Sequence, residues 1–312
     1  MIFESNVLVT GGSGMIGHAL QKIIPEAVFL PSRQCDLRNM KEVESLFTYY
    51  EPEYVIHLAA KVGGVASNTK HVAEFYTDNI LINTNVLEAA YQFKTKKLIS
   101  LLSTCVYPES STFPLTEDQI HNGEPHKTSF GYSYAKRMLD IQSRAYRQQH
   151  GCNFITAIPS NTFGPYDNFD LNSSHVIPAL IRKIHECRMT GRDVTLWGDG
   201  TALREFTFSE DVADIVLFLL QHYDGASPLN VGNTSEISIK ELAEIISSLM
   251  EYDGDIIWDT EKPSGQHRKP SDNSKFMQLG WRQENYLNIK ESLKKTCDWY
   301  KMNYPDIKGI RE

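Results

Sequence analysis

A β-branched segment, a glycine-rich turn and a helix-like stretch follow one another at the start of the chain. The strand-like residues are Val7 to Thr10, and the turn reads Gly11-Gly12-Ser13-Gly14-Met15-Ile16-Gly17. The glycine spacing G-x-x-G-x-x-G suits a tight bend, a close backbone approach to a pyrophosphate and a helix N-terminus directed at the anion. This order predicts a parallel α/β fold that binds a dinucleotide. A glycine turn that merely joins a strand to a helix is the alternative.

Strand-like and helical segments alternate along the first half of the chain. The strand-like segments cover 7–10, 27–30, 54–58, 98–103 and 154–158, and the main helical stretches cover 15–24, 41–50, 73–92 and 132–149. Such alternation is typical of a doubly wound parallel sheet, so we predict a Rossmann-type α/β fold. Gly151 follows the last of these helices, where glycine commonly ends a helix.

The second half is predicted to build a smaller, discontinuous C-terminal domain. After residues 161–165 the composition becomes polar and predicts a loop-rich stretch until about residue 200, whereas residues 206–232 return to sheet and helix character. We therefore predict two domains, a dinucleotide-binding domain of 1–163 and 203–232, and a substrate-binding domain of 164–202 and 233–312.

The residues after the second strand-like segment indicate which nicotinamide cofactor would bind. An NAD site usually has Asp or Glu there, to hold the ribose 2′-hydroxyl. This chain has Pro31-Ser32-Arg33-Gln34, in which Arg33 and Ser32 suit a 2′-phosphate. Asp36 and Leu37 lie further along and better fit the adenine edge. NADP(H) is therefore the predicted cofactor, and an ordinary solvated loop charge is the alternative for Arg33.

A serine, a cysteine, a tyrosine and a lysine form a candidate reaction site. Tyr132 and Lys136 are four residues apart, so a helix places them on one face. The lysine is expected to lower the pKa of the phenol from its reference value of ~10, so that Tyr132 can exchange a proton near neutrality. Ser103 ends an apolar strand and Cys105 follows it, at the kind of strand end where ligands of parallel sheets bind. A chance surface pair is the alternative for Tyr132 and Lys136.

These motifs resemble those of the extended short-chain dehydrogenase/reductases and, within that superfamily, those of the GDP-L-fucose synthase family. The resemblance covers essentially the whole chain. Its motifs are Thr10–Gly17, His57–Gly64, Ser103–Pro108, Gly131–Met138, Gly164–Phe169, His175–Pro178, Trp197–Gly198 and Arg204–Phe206. The first and fourth motifs mark the superfamily alone, whereas the loop 61–64, Cys105 and the segment 168–175 are specific to the synthases.

The resemblance implies an NADP-dependent enzyme that epimerises C3 and C5 of GDP-4-keto-6-deoxy-D-mannose and then reduces C4. Tyr132 would protonate the C4 oxygen, assisted by Lys136 and Ser103. Cys105 would remove protons from C3 and C5, which the 4-keto group acidifies, since a thiol of reference pKa ~8.5 can form a thiolate. His175 would return the proton on the opposite face, a role that suits the intrinsic pKa of histidine.

Position 105 separates this chemistry from others on the same scaffold. The 4,6-dehydratases similar to this chain carry an Asp-Glu pair at the positions of Thr104 and Cys105, so a dehydratase would lack its acid–base pair here. Simple 4-epimerases and 4-reductases usually have a hydroxyl or aliphatic residue at 105. Outside the family context, Cys105 would be interpreted as a packing residue and His175 as a structural one.

The resemblance also implies contacts with the cofactor and with the diphosphate of a nucleotide sugar. The further cofactor-binding residues are Leu58, Ala59, Ala60, Pro159 and Asn161, besides the turn 11–17, Tyr132 and Lys136. The substrate-binding residues are Lys183, Trp197, Arg204 and Lys269. Arginine and lysine suit phosphate oxygens, and Trp197 is expected to line the nucleotide pocket. Arg182 could replace Lys183, and solvated surface charges are the alternative for Arg204 and Lys269.

Composition argues against several other classes of protein. The 312 residues include 39 acidic and 31 basic side chains, and the net charge of −8 argues against nucleic-acid binding. Five cysteines, odd in number and without a C-x-x-C pair, predict reduced thiols in a cytoplasmic protein and neither a disulfide framework nor a metal site. Residues 1–4 lead into the first strand without a signal peptide, and the longest apolar run, 215–220, is too short to span a membrane. A homodimer is the expected assembly.

Two other functions stay open at the level of sequence. One is a reductase or epimerase of another nucleotide 4-keto-6-deoxysugar, such as a colitose-type synthase. The other is a non-catalytic relative that binds NADP and a protein partner. Such proteins commonly lose the tyrosine and lysine that this chain keeps as Tyr132 and Lys136.

Overall fold

Strands with buried side chains on both faces form the centre of the molecule. The computed structural model of the protein describes residues 6–262 and 267–310. Every residue of Val7–Thr10, Lys97–Leu101 and Phe154–Ile158 is buried, as expected for strands of a sheet that is covered on both faces.

The order of elements follows the alternation that the sequence predicts. The strands are β1 (Val7–Thr10), β2 (Val28–Leu30), β3 (Tyr54–His57), β4 (Lys97–Leu101), β5 (Phe154–Ile158), β6 (Asn161–Phe163), β7 (Val194–Trp197), β8 (Leu203–Phe208), β9 (Leu229–Asn230), β10 (Glu236–Ser238) and β11 (Ile256–Asp259). The helices are α1 (Met15–Ile23), α2 (Met40–Tyr50), α3 (Val65–Lys70), α4 (Val72–Gln92), α5 (Phe130–His150), α6 (Val176–Thr190), α7 (Ser209–His222), α8 (Ile239–Leu249), α9 (Ser274–Met277) and α10 (Ile289–Asn303).

The main sheet has six strands in the order β2-β1-β3-β4-β5-β9, and every neighbouring pair is parallel. The strand order reverses between β1 and β3. In such sheets ligands bind beside the reversal, outside the carboxyl ends of the strands. The predicted doubly wound α/β fold is confirmed, and the five predicted strands agree with the observed ones to within two residues at each end.

Alternate strand residues build one hydrophobic core on each face of the main sheet. Val9 and Ile56 face the core that α1 and α7 cover, whereas Leu8 and Val55 face the core under α2, α4 and α5. Helix α5 ends at Gly151, whose φ of 69° is left-handed, so the predicted helix stop is confirmed.

A third core lies in the C-terminal part, between α6, α8, α10 and two small sheets. These sheets have the orders β10-β8-β6 and β11-β7. The prediction of a loop-rich stretch from after residue 165 to about residue 200 is wrong, because α6 and β7 occupy much of it. Ile177, Leu180, Ile181 and Ile184 recur at helical spacing and are buried in the third core. Pro178 is tolerated because it lies in the first turn of the helix.

The predicted domain boundaries stay a prediction. Phe206 and Phe208 of β8 pack in the third core, while the following helix α7 packs in the first. Residues 1–5 and 311–312, which include the start of the chain and the outer limits of the predicted domains, lie outside the described residues. Within the described ranges, no helix is both long and apolar enough to cross a bilayer.

Candidate active site

The turn after β1 needs glycine at the positions that the sequence pattern singles out. Gly11 has a φ of +71°, and a Cβ there would lie 2.8 Å from the amide nitrogen of Ala59. A Cβ on Gly17 would lie 2.4 Å from the carbonyl oxygen of Gly12, so any side chain would push the helix away from the turn. The backbone N–H of Gly12 donates to Leu30 O at 3.0 Å, which ties the turn to β2.

The start of α1 presents free donors to an anion. Gly14 is the N-cap residue and supplies no side-chain acceptor. The N–H groups of Ser13, Met15 and Ile16 have no acceptor within the described residues. Unpaired N–H groups at a helix N-terminus form an anion site, so these residues fit the pyrophosphate of a dinucleotide.

The loop after β3 packs against this turn through Thr10. The N–H of Leu58 donates to Thr10 O at 3.2 Å, and that of Ala59 donates to the Thr10 hydroxyl at 3.3 Å. The same hydroxyl lies 2.8 Å from Nδ1 of buried His57, and burial lowers the pKa of His57 to about 3, so its ring is neutral. The predicted contacts at 58–60 therefore lie beside the turn. The other two predicted cofactor residues follow β5, where Pro159 is buried and the Asn161 amide donates to Glu205 O at 2.9 Å.

The loop after β2 contains an exposed arginine, Arg33, and an aspartate, Asp36, that is bound to another residue. Arg33 is exposed and forms no ion pair or hydrogen bond within the described residues. The carboxylate of Asp36 accepts from Nε and Nη2 of Arg38 at 2.9 and 2.8 Å, and these bonds hold the pKa of Asp36 below its usual range. Asp36 is therefore committed to Arg38, a partner that the sequence interpretation missed. Leu37 is buried.

Tyr132 and Lys136 lie on one face of α5 beside the end of β4. The ammonium of Lys136 donates to Leu101 O at 2.7 Å and lies 5.9 Å from the centre of the Tyr132 ring. Ser103 precedes a short 3₁₀ turn, Thr104–Val106, and its hydroxyl accepts weakly from the Cys105 N–H at 3.4 Å. The four predicted reactive side chains thus come from two adjoining segments.

The expectation that Lys136 lowers the pKa of Tyr132 is wrong for this arrangement. Burial raises the pKa of Tyr132 above its usual value, and the nearby Cys105 adds to the rise. Burial also lowers the pKa of Lys136 to about 8. Loss of hydration therefore dominates the pKa of each group, and Tyr132 stays protonated at neutral pH, the form that donates a proton.

Cys105 lies among several ionisable groups. A negative charge on its thiol would interact with Tyr132, Lys136 and Arg137 of α5 and with Lys269. Arg137, which the sequence interpretation missed, donates through Nε to Val106 O and through Nη1 to Gly123 O, both at 2.6 Å. This arginine therefore holds the segment that carries Cys105 in place. Its position next to Lys136 in the sequence gives no sign of such a role.

The loop 61–64 and the segment 168–175 meet next to His175. The Gly64 N–H donates to Ser173 O at 2.8 Å, and a Cβ on Gly64 would lie 2.9 Å from Ser174 O. His175 follows as the N-cap residue of α6. Part of the surface of His175 is exposed, but the surrounding protein restricts the hydration of its ring and lowers the pKa of His175 below the usual value. No hydrogen bond or ring contact joins His175 to Cys105 or Tyr132 within the described residues.

Lys183, rather than Arg182, faces the predicted nucleotide residue. The ammonium of Lys183 lies 5.8 Å from the ring centre of Trp197, whose side chain is 61% exposed. Arg182 instead donates to Glu186, to Phe169 O and to Gly309 O, so it anchors the fold.

The other two predicted substrate cations lie near each other, and Lys269 is also close enough to Cys105 to interact with it electrostatically. Arg204 uses Nη1 to bind Leu203 O at 2.7 Å and has no acidic partner within the described residues. Lys269 donates to Thr104 O at 2.9 Å, and the positive charge of Arg204 acts on it. In the part of the chain that the structure describes, no three His, Cys, Asp or Glu side chains are grouped to hold a metal ion.

Comparison with known proteins agrees with this geometry. Residues 7–232 match the NAD dependent epimerase/dehydratase family. The chain is 42% identical to GDP-L-fucose synthase of Dictyostelium discoideum over 96% of this chain and 97% of the relative. It is 34% identical to GDP-L-colitose synthase of Yersinia pseudotuberculosis over 94% of this chain and 97% of the relative.

A crystal structure of a GDP-L-fucose synthetase from Naegleria fowleri bound to NADP has the same fold, with a TM-score of 0.91. The two chains are 37% identical, over 96% of this chain and 94% of the other. The chain therefore belongs to the NAD dependent epimerase/dehydratase family, in the branch that includes the GDP-L-fucose synthases.

Proposed function

We propose that this chain is an NADP-dependent enzyme that converts GDP-4-keto-6-deoxy-D-mannose to GDP-L-fucose. It would be both an isomerase and an oxidoreductase, inverting C3 and C5 and then reducing C4 in one site. The observation that carries the proposal is the thiol of Cys105 beside the Tyr132–Lys136 pair at the carboxyl end of β4. A thiol is not needed for hydride transfer alone, but it suits the removal of a proton from carbon.

The epimerisation uses a base and an acid from different segments. The thiolate of Cys105 takes the proton from C3 or C5, and the electron pair passes to the 4-keto oxygen as an enolate. His175 then protonates the same carbon from the other face. The lowered pKa of His175 makes its protonated ring a stronger acid, although a smaller fraction of the ring carries the proton at neutral pH.

The reduction uses the tyrosine and the groups around it. NADPH, when bound along the turn 11–17, supplies the hydride for C4. Tyr132 donates its proton to the C4 oxygen, and the Ser103 hydroxyl donates a hydrogen bond to the same atom. The Lys136 ammonium, held on Leu101 O, offsets the negative charge that remains on Tyr132.

The nucleotide end of the substrate is assigned to Lys183, Trp197 and Arg204. The exposed indole of Trp197 offers a stacking surface for the base, and Lys183 lies beside it. The guanidinium of Arg204 keeps Nε and Nη2 without an acceptor in the described residues, so both can donate to the diphosphate.

The reaction is tested by supplying the purified protein with NADPH and GDP-4-keto-6-deoxy-D-mannose and identifying the product by NMR. We expect GDP-L-fucose. A product reduced at C4 with C3 and C5 unchanged would contradict the epimerase role. Preference for the precursor of a colitose-type sugar would favour the alternative that the Yersinia relative suggests. Absence of any turnover would favour a non-catalytic NADP-binding protein.

Arg33→Ala should raise the KM for NADPH at least tenfold and leave the KM for NADH nearly unchanged. The reason is that only NADPH carries the 2′-phosphate, and loss of one charged contact costs about 1.5–3 kcal/mol. Arg33 is suited to this role because it has no other partner in the described residues. Steady-state kinetics with both cofactors measure the difference. Equal effects on NADPH and NADH would contradict the assignment of Arg33.

We also propose that the protein forms a homodimer through α4 and α5. The outer faces of these adjoining helices expose large apolar side chains, Tyr76, Leu81, Phe130 and Ile141. Exposed apolar side chains on two adjoining helices offer a surface for association with a second copy of the chain. Sedimentation equilibrium should give a dimer for the wild type and a shift toward monomer for Ile141→Glu. A monomeric wild type at micromolar concentration would contradict the proposal.

A further inference from the structure

Residues 267–272, which we name the strap, run beside β8 and are bound to it at both ends. The N–H of Leu203 donates to His267 O at 2.8 Å. The carboxylate of buried Glu205 accepts from the backbone N–H of Ser271 at 2.9 Å and from the Ser271 hydroxyl at 2.5 Å. These bonds leave the strap little freedom to move relative to β8.

The other side of the strap is bound to the segment that follows Cys105 in the chain. Leu115 donates to Pro270 O at 2.8 Å and accepts from the Asp272 N–H at 2.9 Å. Arg268 forms an ion pair with Glu236 at 2.5 Å, which directs its side chain away to β10. Lys269, between these anchors, is therefore held in a defined position.

Lys269 is directed at the peptide group that joins Thr104 to Cys105. Its ammonium donates to Thr104 O at 2.9 Å, and it has no acidic partner within the described residues. Burial lowers the pKa of Lys269, and the negative charge that Cys105 can acquire opposes this. The lysine and the cysteine thus interact as a cation and a potential anion in a site with restricted hydration.

The other charged groups around Cys105 come from α5 and have different partners. The ammonium of Lys136 is bound to Leu101 O, and the guanidinium of Arg137 to Val106 O and Gly123 O. Tyr132 stays protonated because burial raises its pKa. Lys269 approaches from the strap, with Arg204 nearby.

We propose that Lys269 is a positioning residue that stabilises the thiolate of Cys105. This inference rests on the proposed role of Cys105 as the base in epimerisation. It gives Lys269 a different task from the diphosphate contact that the family resemblance implies. The donor bond to Thr104 O holds the cation at the peptide group that precedes Cys105 before any substrate binds.

The test compares Lys269→Met, Lys269→Arg and the control Lys275→Met in the full-length protein. Lys275 follows the strap and is exposed, and its one ion pair within the described residues joins it to Glu117 at 2.9 Å. The rate at which iodoacetamide alkylates Cys105 is followed from pH 5.5 to 9 by mass spectrometry of the Cys105 peptide. For Lys269→Met we expect the midpoint of the curve to rise by about one pH unit, the smaller end of the effect of one opposite charge.

The expected shift slows alkylation at pH 7 by about tenfold. Lys269→Arg should restore most of the rate and Lys275→Met should match the wild type. Deuterium exchange at C3 and C5 by Lys269→Met should likewise recover as the pH is raised, which a loss of folding would not permit.

An unchanged alkylation curve in Lys269→Met overturns the proposal. If that variant then shows a raised KM for the GDP-sugar, Lys269 binds the diphosphate. If alkylation and KM are both unchanged, its bond to Thr104 O is structural. Failure of the proposed function gives another result. In that case Cys105→Ser would still invert C3 and C5, while Lys269→Met would still shift the alkylation curve of Cys105.

Discussion

Cys105→Ser is expected to slow the exchange of solvent deuterium into C3 and C5 by at least ~10²-fold, the effect typical of a lost general base. Serine keeps nearly the same shape, but an alcohol scarcely ionises at neutral pH, whereas a free thiol has a reference pKa of ~8.5. Exchange is measured by NMR in deuterated water, with the GDP-keto sugar and no NADPH. With NADPH present, the variant should slowly form a deoxysugar with C3 and C5 of the original configuration.

His175→Asn separates the two halves of the inversion. Asparagine is also a good N-cap residue, so α6 should keep its start, and the Gly64–Ser173 contact should keep the loop in place. Deprotonation by Cys105 continues in this variant, but reprotonation comes from the original face. The variant should therefore still exchange deuterium into C3 and C5 but should no longer invert these carbons.

The control for both variants is Cys187→Ser, which changes a half-exposed thiol on α6 whose sulfur lies 3.5 Å from Asp193 O. Its exchange and inversion should equal those of the wild type. Full inversion of C3 and C5 by Cys105→Ser would falsify the scheme of two residues and leave Cys105 as a packing residue.

Local sequence patterns were sufficient where the physical cause is itself local. The apolar runs of β1, β4 and β5 predict buried strands, because a parallel sheet buries both faces. The glycine turn could be predicted because Gly11 needs a positive φ and because no Cβ fits at Gly17. The four-residue spacing of Tyr132 and Lys136 was enough to place them on one helix face.

Sequence reasoning failed where the outcome depends on tertiary surroundings. The helical spacing of α6 is present in the sequence, but the polar composition of the stretch around it favours a loop. The pKa of Tyr132 depends on burial by the assembled site, which no spacing reveals. The bond from Lys269 to Thr104 joins positions 165 residues apart, so it becomes visible only when the strap is seen beside β8.

Tyr132→Phe is expected to slow the reduction of C4 by ~10²–10⁴-fold, the loss typical of a removed general acid. The change removes the proton donor but little volume, and the ring should keep its edge contact with Phe75 at 6.4 Å between centres. Binding of NADPH and of the GDP-sugar should therefore persist. The rate of NADPH oxidation, monitored by absorbance, measures the loss of reduction. A near-normal rate would exclude Tyr132 as the acid.

The same helix provides a control in Tyr134→Phe. Tyr134 packs against Phe130 at 5.0 Å and beneath the Arg137 guanidinium at 5.3 Å, contacts that the ring makes without its hydroxyl. Its reduction rate should stay close to that of the wild type. Tyr132→Phe should still exchange deuterium at C3 and C5, since Cys105 and Lys269 are untouched, while Cys105→Ser should still reduce C4. If Tyr132→Phe loses only reduction and Cys105→Ser loses only inversion, the two reactions use different groups around the end of β4. Loss of both activities in either variant would contradict this assignment.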